Sequence, residues 1–319
     1  MIFFYLFIFI ISFFLLFFAG SKLVKSLIGI AKFLGWREFV VAFFVMGFAV
    51  CIPNLFVDIN AALHNLPMLA FGDIVGGNMV DLSLVAALAV LMGSGILPAE
   101  SKMVQTSAFF TAGIAVLPLL LILDGNLSRA DAIILLFVFL AYCFWLFSKE
   151  DRFKKIYDGE DQKSIKSVFG LLNNSVKIIF FLVLLLFASQ GIVKSSQFLS
   201  DNLGISLATI GILIVGLGNC FPEIYFSIVS ARKNQNWLIL GDLMGSVIVS
   251  STLVLGIVVL ISPFEISDFS PFVIARIFTI IAALFFLVVI KTGQKITKKE
   301  GLFLLTIYII FLLCEIFFR

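Results

Sequence analysis

The residues of this chain that could do chemistry fall in two short stretches, and the second copies the first. Gly47-Phe-Ala-Val-Cys51-Ile-Pro53-Asn54 leads to Asp58, then to Gly72-Asp73-Ile-Val-Gly76-Gly77-Asn78 and Asp81. Gly216-Leu-Gly218-Asn219-Cys220-Phe-Pro222-Glu223 leads to Ser227, then to Gly241-Asp242-Leu-Met-Gly245-Ser246 and Ser250. Gly47 to Val85 thus recurs at Gly216 to Val254, 169 residues on and without a gap. Carboxylates, amides and hydroxyls set in apolar sequence offer oxygen ligands, which suit hard cations. Each copy also holds a proline, which cannot donate its backbone hydrogen bond and clashes with the preceding turn. It is expected to break the helix and free carbonyl oxygens, and such backbone is tolerated at membrane depth only inside protein or along a watery cavity.

The spacing lets these groups converge. Val50, Asn54 and Asp58 share one helical face, as do Asn219, Glu223 and Ser227. Asp73, Gly77 and Asp81 share another, mirrored by Asp242, Ser246 and Ser250. Interrupted apolar segments at matching places in two halves point to a transporter's substrate site, and a pseudo-two-fold axis would gather all four faces near the midplane.

The elements that must position them are membrane helices. Of the 319 residues, 62% are hydrophobic and 13% charged, a composition foreign to soluble domains. Runs of about 18 or more apolar residues read as spanning helices. Ten are placed, at 2–20, 39–63, 68–92, 104–123, 130–148, 170–193, 205–231, 237–261, 271–291 and 302–318. Met1 to Ala19 lacks a basic leading region and reads as a retained first helix rather than a signal peptide. The fold class is therefore an all-α polytopic membrane protein, ten helices in two five-helix repeats. The first repeat is 1–148 (internal repeat 47–85), and 149–168 is a charged linker. The second repeat is 169–319 (internal repeat 216–254). An odd number of spans per half inverts the second copy.

Lysine and arginine set the orientation. The loops after spans 1, 3, 5, 7 and 9 carry most of them, including Lys22, Lys25, Lys102, Lys154, Arg232, Lys233, Lys295 and Lys298. The opposite face holds Arg129, Lys194, Arg276 and Arg319. The chain is expected in the cell membrane, with both termini outside and the linker cytoplasmic. Trp36, Trp145 and Trp237 fall near cytoplasmic span ends, where an interfacial ring belongs.

These residues resemble the sodium/calcium exchanger family, whose two α-repeats look like G-T-S-x-P-E followed by G-N-x-x-G-S-N-x-x-[ND]. The resemblance covers both repeats, the ten-span plan and the linker. It implies secondary antiport of Ca²⁺ against Na⁺ by alternating access around one central site. The chain departs from the pattern at several positions. The first-repeat glutamate is Asn54, whereas the second is kept as Glu223. Thr-Ser pairs are replaced by Val50-Cys51 and Asn219-Cys220, and the first GSN serine is Gly77, while Ser246 keeps the second. Asp73 and Asp242 stand where asparagine is usual, and the final polar positions are Asp81 and Ser250.

Glu223 and Asp81 are the leading ion carboxylates, since a carboxylate at bilayer depth costs about 2.5–3.5 kcal/mol and is seldom idle. Asp58 stands in for the lost glutamate or lies in an outer vestibule. Asn54, Asn78, Asn219, Ser246, Ser250 and backbone carbonyls complete the candidate cage. Asp73 and Asp242 join it or cap a helix that resumes after the glycine. His64 is expected at the interface, Glu315 to snorkel or pair locally, and the phenylalanines to face lipid.

The expected activity is antiport of Ca²⁺ or a related divalent cation for Na⁺ or H⁺. No cofactor is expected, the ions being cargo, and no nucleic acid; the partners are the ions and the bilayer, and a monomer suffices for transport. Alternatives are a soft-metal transporter with Cys51 and Cys220 as ligands, or a degenerate member that no longer transports. An enzyme is disfavoured by the absence of HExxH, of GxSxG and of a conspicuous aspartate dyad.

Overall fold

In lipid a helix satisfies its own backbone polar groups, and this apolar chain folds accordingly. The computed structural model describes residues 1–33, 47–148, 168–233, 236–266 and 270–317. In the first half the helices are α1 (Ile2–Phe33), α2 (Gly47–Val50), α3 (Ile52–Leu63), α4 (Pro67–Met79), α5 (Ala86–Met92), α6 (Lys102–Leu121) and α7 (Arg129–Phe147). In the second they are α8 (Val168–Leu203), α9 (Leu207–Thr209), α10 (Gly216–Asn219), α11 (Phe221–Arg232), α12 (Asn236–Val249), α13 (Leu255–Ile261), α14 (Ser270–Gly293) and α15 (Lys298–Phe317). Among the described residues, nine helical stretches are long and apolar enough to cross a membrane. The span read at 39–63 is described only from Gly47 onward, as α2 and α3. Residues 34–46 and 149–167, with Trp36 and almost all of the linker, lie outside the described residues.

The repeat is visible in the backbone. α2, α3 and α4 in the first half correspond to α10, α11 and α12 in the second. Each short helix ends at a cysteine, Cys51 or Cys220, and the next begins with proline in its first turn. Proline is favoured there because its missing N–H costs nothing in a first turn. The break therefore falls two residues ahead of each proline. α4 and α12 pass without interruption into π-helical segments, Val80–Val85 and Ser250–Val254, before resuming as α5 and α13. A third π segment, Ile210–Val215, joins α9 to α10.

Two features differ from the sequence reading. α1 and α8 run well past spans 2–20 and 170–193, and they lie side by side. Lys22 and Lys25, assigned to a loop, are helical and exposed, and the Lys22 Nζ sits 5.6 Å from the Phe18 ring centroid. Helix continues through them because lysine is a good helix former and its charged end reaches water. The chain also makes short strand pairs. β1 (Ile96–Pro98) pairs antiparallel with Lys295–Thr297, and β2 (Asn126–Leu127) with Phe264–Glu265. These pairings join the loop after the third span to that after the ninth, and the loop after the fourth to that after the eighth. That grouping agrees with a chain that alternates sides between the third span and the ninth.

The core lies between the repeats, where α4, α5, α12 and α13 meet α6, α14 and α15. α4 crosses the Ile210–Val215 segment closely enough that glycine is required. A Cβ on Gly72 would meet the Ala208 carbonyl oxygen at 2.6 Å, and one on Gly76 would collide with the Ile212 backbone. Phenylalanines divide between two roles. Phe137 and Phe144 face outward, but Phe71, Phe272, Phe286 and Phe311 are fully buried, correcting the view that all are lipid-facing.

Candidate functional site

α1 covers both helix breaks. A Cβ on Gly20 would meet the Pro53 ring at 2.6 Å, and Gly218 abuts Phe13. Pro222 offers no N–H to the Gly218 carbonyl, so that oxygen lacks its usual α-helical donor. On the inner side of the breaks the two repeats are bonded to one another. Asn219 Nδ2 donates to Asp73 Oδ2 at 2.5 Å. The Cys220 thiol donates to the Gly77 carbonyl at 3.7 Å, and the Cys51 thiol to the Ser246 carbonyl at 3.8 Å. Asn78 Nδ2 donates to Ser251 Oγ at 2.7 Å, while Ser250 Oγ donates to Asn78 Oδ1 at 3.0 Å. Ser250 also lies 2.8 Å from its own helix at the Ser246 carbonyl.

The carboxyl groups form two neighbourhoods. Glu223 at the start of α11 is wholly buried, and its strongest electrostatic neighbours are Asp81 and then Asp242. Asp81 lies within the first π segment, beside Ser246 and Cys220. Asp58 on α3 has Asp73 on α4 as its electrostatic neighbour. The turn at 64–66 folds α3 back on α4. The sequence reading foresaw no such dyad.

All ten predicted site residues are buried: Asn54, Asp58, Asp73, Asn78, Asp81, Asn219, Glu223, Asp242, Ser246 and Ser250. Among the described residues, both oxygens of Asp58, Glu223 and Asp242 have no hydrogen-bond donor, nor have Asp81 Oδ1, Asn54 Oδ1 and Asn219 Oδ1. Among the described residues no lysine, arginine or histidine is buried with them. An unpaired carboxylate out of water is costly, so each of these groups must take up a cation or a proton. Among the described residues no three His, Cys, Asp or Glu side chains draw together as a metal cage by themselves. An ion here would also need amide, hydroxyl and backbone oxygens.

Several placements correct the sequence reading. Asp58 is 1% exposed and belongs to no open vestibule. Asp73 and Asp242 cap nothing, because α4 already starts at Pro67 and α12 at Asn236. Glu315 is 2% exposed, inside the bundle rather than snorkelling. His64 is exposed as expected, its Nδ1 2.8 Å from the Asn60 carbonyl. Ser251 was missed. Asn78 reaches both Ser250 and Ser251, with opposite ends of its amide. Asn60, also missed, donates to Ser189 on α8 at 3.1 Å.

Comparison with known proteins places this geometry. The family described as "Sodium/calcium exchanger protein" matches residues 4–148 and 175–317. The sodium/calcium exchanger MaX1 of Methanosarcina acetivorans is 26% identical, over 91% of this chain and 92% of its own. The inner membrane protein YrbG of Escherichia coli K12 is 25% identical, over 81% and 80%. In fold, the chain is similar to the sodium-calcium exchanger NCX_Mj soaked with 2.5 mM Na⁺ and 10 mM Sr²⁺, with a TM-score of 0.65 at 21% identity, covering 97% of this chain and 98% of that one. With both halves matched by the family and the two repeats meeting around buried carboxylates, this chain belongs to the sodium/calcium exchanger family.

Proposed function

We propose that the chain is a secondary-active antiporter that moves Ca²⁺ or a related divalent cation against Na⁺ or H⁺ by alternating access. The observation that carries this reading is the meeting of Glu223 from one repeat with Asp81 from the other, both buried and, among the described residues, neither beside a buried base. Two carboxylates neutralise one divalent ion, and the attraction is strong where water is scarce. When the divalent ion leaves, the pair must take up Na⁺ or protons before the loaded site can change sides. A ligand shifts such an equilibrium only by its differential affinity for the two states. Asp242, Ser246, Asn78 and freed carbonyls add oxygen ligands around the pair, and no catalytic step is needed.

In the cell membrane the loops at 93–101 and 293–298 face the cytoplasm with the linker, and both termini lie outside, following the lysine and arginine bias. The test is ⁴⁵Ca uptake into proteoliposomes under an imposed Na⁺ gradient or an imposed pH gradient. Uptake driven by one of them supports antiport, and uptake driven by neither removes it.

A further inference from the structure

We propose that Ser83 and Thr252 are a matched pair of positioning residues, whose hydroxyls hold the π turns that carry Asp81 and Ser250 and so fix where those two side chains stand in the site. This deepens the ion-exchange reading and rests on it for its role in transport, but one arm of its test reads the backbone alone.

The two residues occupy the same place in the repeat. Thr252 lies 169 residues after Ser83, the offset that relates Gly47–Val85 to Gly216–Val254. Both are 0% exposed. Ser83 Oγ donates to the Met79 carbonyl and Thr252 Oγ1 to the Ile248 carbonyl. These two acceptors are also 169 residues apart. Each bond runs from a π segment back to the end of the α-helix before it, α4 in one repeat and α12 in the other.

The bonds meet a need of the backbone. In an α-helix each N–H reaches the carbonyl four residues back, and in a π turn it reaches five back. Here the Ala86 N–H bonds the Asp81 carbonyl and the Leu255 N–H bonds the Ser250 carbonyl, five residues back in both repeats. Where the pattern changes from four to five, N–H groups and carbonyls no longer match one to one. Inside a membrane protein serine and threonine hydroxyls can satisfy what is left over. Asp81 and Ser250 stand two residues before the hydroxyls, within the same turns. A turn that relaxed toward α geometry would rotate them against the helix beyond. The third π segment, Ile210–Val215, contains neither serine nor threonine and holds none of the candidate ion ligands. Hydroxyls accompany the two turns that carry ligands and not the one that carries none.

The test uses the purified full chain in lipid nanodiscs, with ⁴⁵Ca²⁺ binding, thermal stability and amide hydrogen exchange as readouts. Thr252→Val keeps the shape and loses the hydroxyl, Thr252→Ser keeps the hydroxyl, and Ser83→Ala removes the other one. Thr111→Val is the control: Thr111 is equally buried and its Oγ1 donates to the Ser107 carbonyl at 2.8 Å, but within the regular helix α6. Ser83→Ala and Thr252→Val should each weaken ⁴⁵Ca²⁺ binding by about fivefold, the scale of one hydrogen bond. Exchange should quicken at amides 84–86 in the first and 253–255 in the second. Thr252→Ser should bind as wild type does. Thr111→Val should lose as much thermal stability as Thr252→Val and keep its affinity. The proposal is overturned if Ser83→Ala and Thr252→Val bind ⁴⁵Ca²⁺ as wild type does, if Thr111→Val weakens binding equally, or if Thr252→Ser is as weak as Thr252→Val. Weaker binding without faster exchange would make the hydroxyls ion ligands and overturn it too. Should one variant fail to fold, the other decides. If wild type binds no ⁴⁵Ca²⁺, the divalent-exchange reading falls and the exchange arm decides alone: quickening confined to each variant's own turn upholds the proposal, and unchanged exchange overturns it.

Discussion

The thiol of Cys220 donates to the backbone carbonyl of Gly77 across the repeat boundary, at 3.7 Å. The symmetric contact, Cys51 to Ser246, is 3.8 Å. Each thiol lies at the end of a short half-helix and ties it to the helix that carries Asp81 or Asp242. In these bonds the sulfurs are donors, a role that a hydroxyl can fill. Cys51→Ser and Cys220→Ser should therefore keep divalent transport within about threefold, whereas Cys→Ala should cost about 0.5–1.5 kcal/mol of stability per lost bond. Comparing ⁴⁵Ca and ¹⁰⁹Cd flux in the serine variants checks this. Loss of both fluxes with serine would make sulfur a ligand and favour a soft-metal cargo.

Close packing at the crossing of α4 and the Ile210–Val215 segment makes a second prediction. Gly76→Ala puts a methyl group into the Ile212 backbone, and backbone cannot rotate aside. Destabilisation of about 1–3 kcal/mol is expected, the usual cost of overpacking. Gly113→Ala has nothing within 4 Å to meet and should be neutral or slightly stabilising. Thermal loss of folded protein in detergent, followed by size-exclusion chromatography, separates the two.

Much of this arrangement was legible in the residues. The copy of Gly47–Val85 at Gly216–Val254 named the two breaks, the partner helices and ten buried polar residues. Hydropathy placed most spans to within a few residues, because lipid imposes the same requirement on each. What it could not give was helical phase and level. Asn78 bonds Ser251 as well as Ser250 because the two ends of its amide point to different side chains, which spacing along the repeat does not reveal. Asp58 has Asp73 as its neighbour where a turn folds α3 onto α4, and its burial depends on packing rather than on distance from the span end. Capping was one of two readings of Asp73, because a glycine before an aspartate looks like a helix start, yet α4 had begun at Pro67.

Sidedness gives a third prediction. The pairing of 96–98 with 295–297 puts Ser94 and Gln294 on one side, and the pairing of 126–127 with 264–265 puts Asp124 and Glu265 on another. Cysteines introduced at 124 or 265 should react with an impermeant maleimide added to intact cells. Those at 94 or 294 should react only after permeabilisation. Reaction at 94 from outside would reverse the orientation drawn from lysine and arginine.

Coupling is the fourth. Val50, Asn54 and Gly77 stand where the family resemblance has threonine, glutamate and serine. Each change removes an oxygen ligand or a charge, and Na⁺ binds through oxygen. Fewer Na⁺ per divalent ion than the family norm are expected, or protons in their place. Val50→Thr with Asn54→Glu should steepen the Na⁺ dependence of ⁴⁵Ca uptake. Steep, cooperative Na⁺ dependence in the wild type would defeat the argument from missing ligands.

The central claim is that divalent ions cross on Glu223 and Asp81 in exchange for monovalent ones, and a single flux measurement reaches it. Proteoliposomes holding the wild type, Glu223→Gln or Asp81→Asn are loaded with Na⁺, or with acidic buffer, and diluted into ⁴⁵Ca in choline at neutral pH. Removing either carboxylate from a buried site should cost enough binding energy to stop flux. The account predicts gradient-driven ⁴⁵Ca uptake by the wild type and none above empty liposomes by either variant. Uptake that persists in Glu223→Gln or Asp81→Asn, or a wild type that no gradient drives, would contradict it.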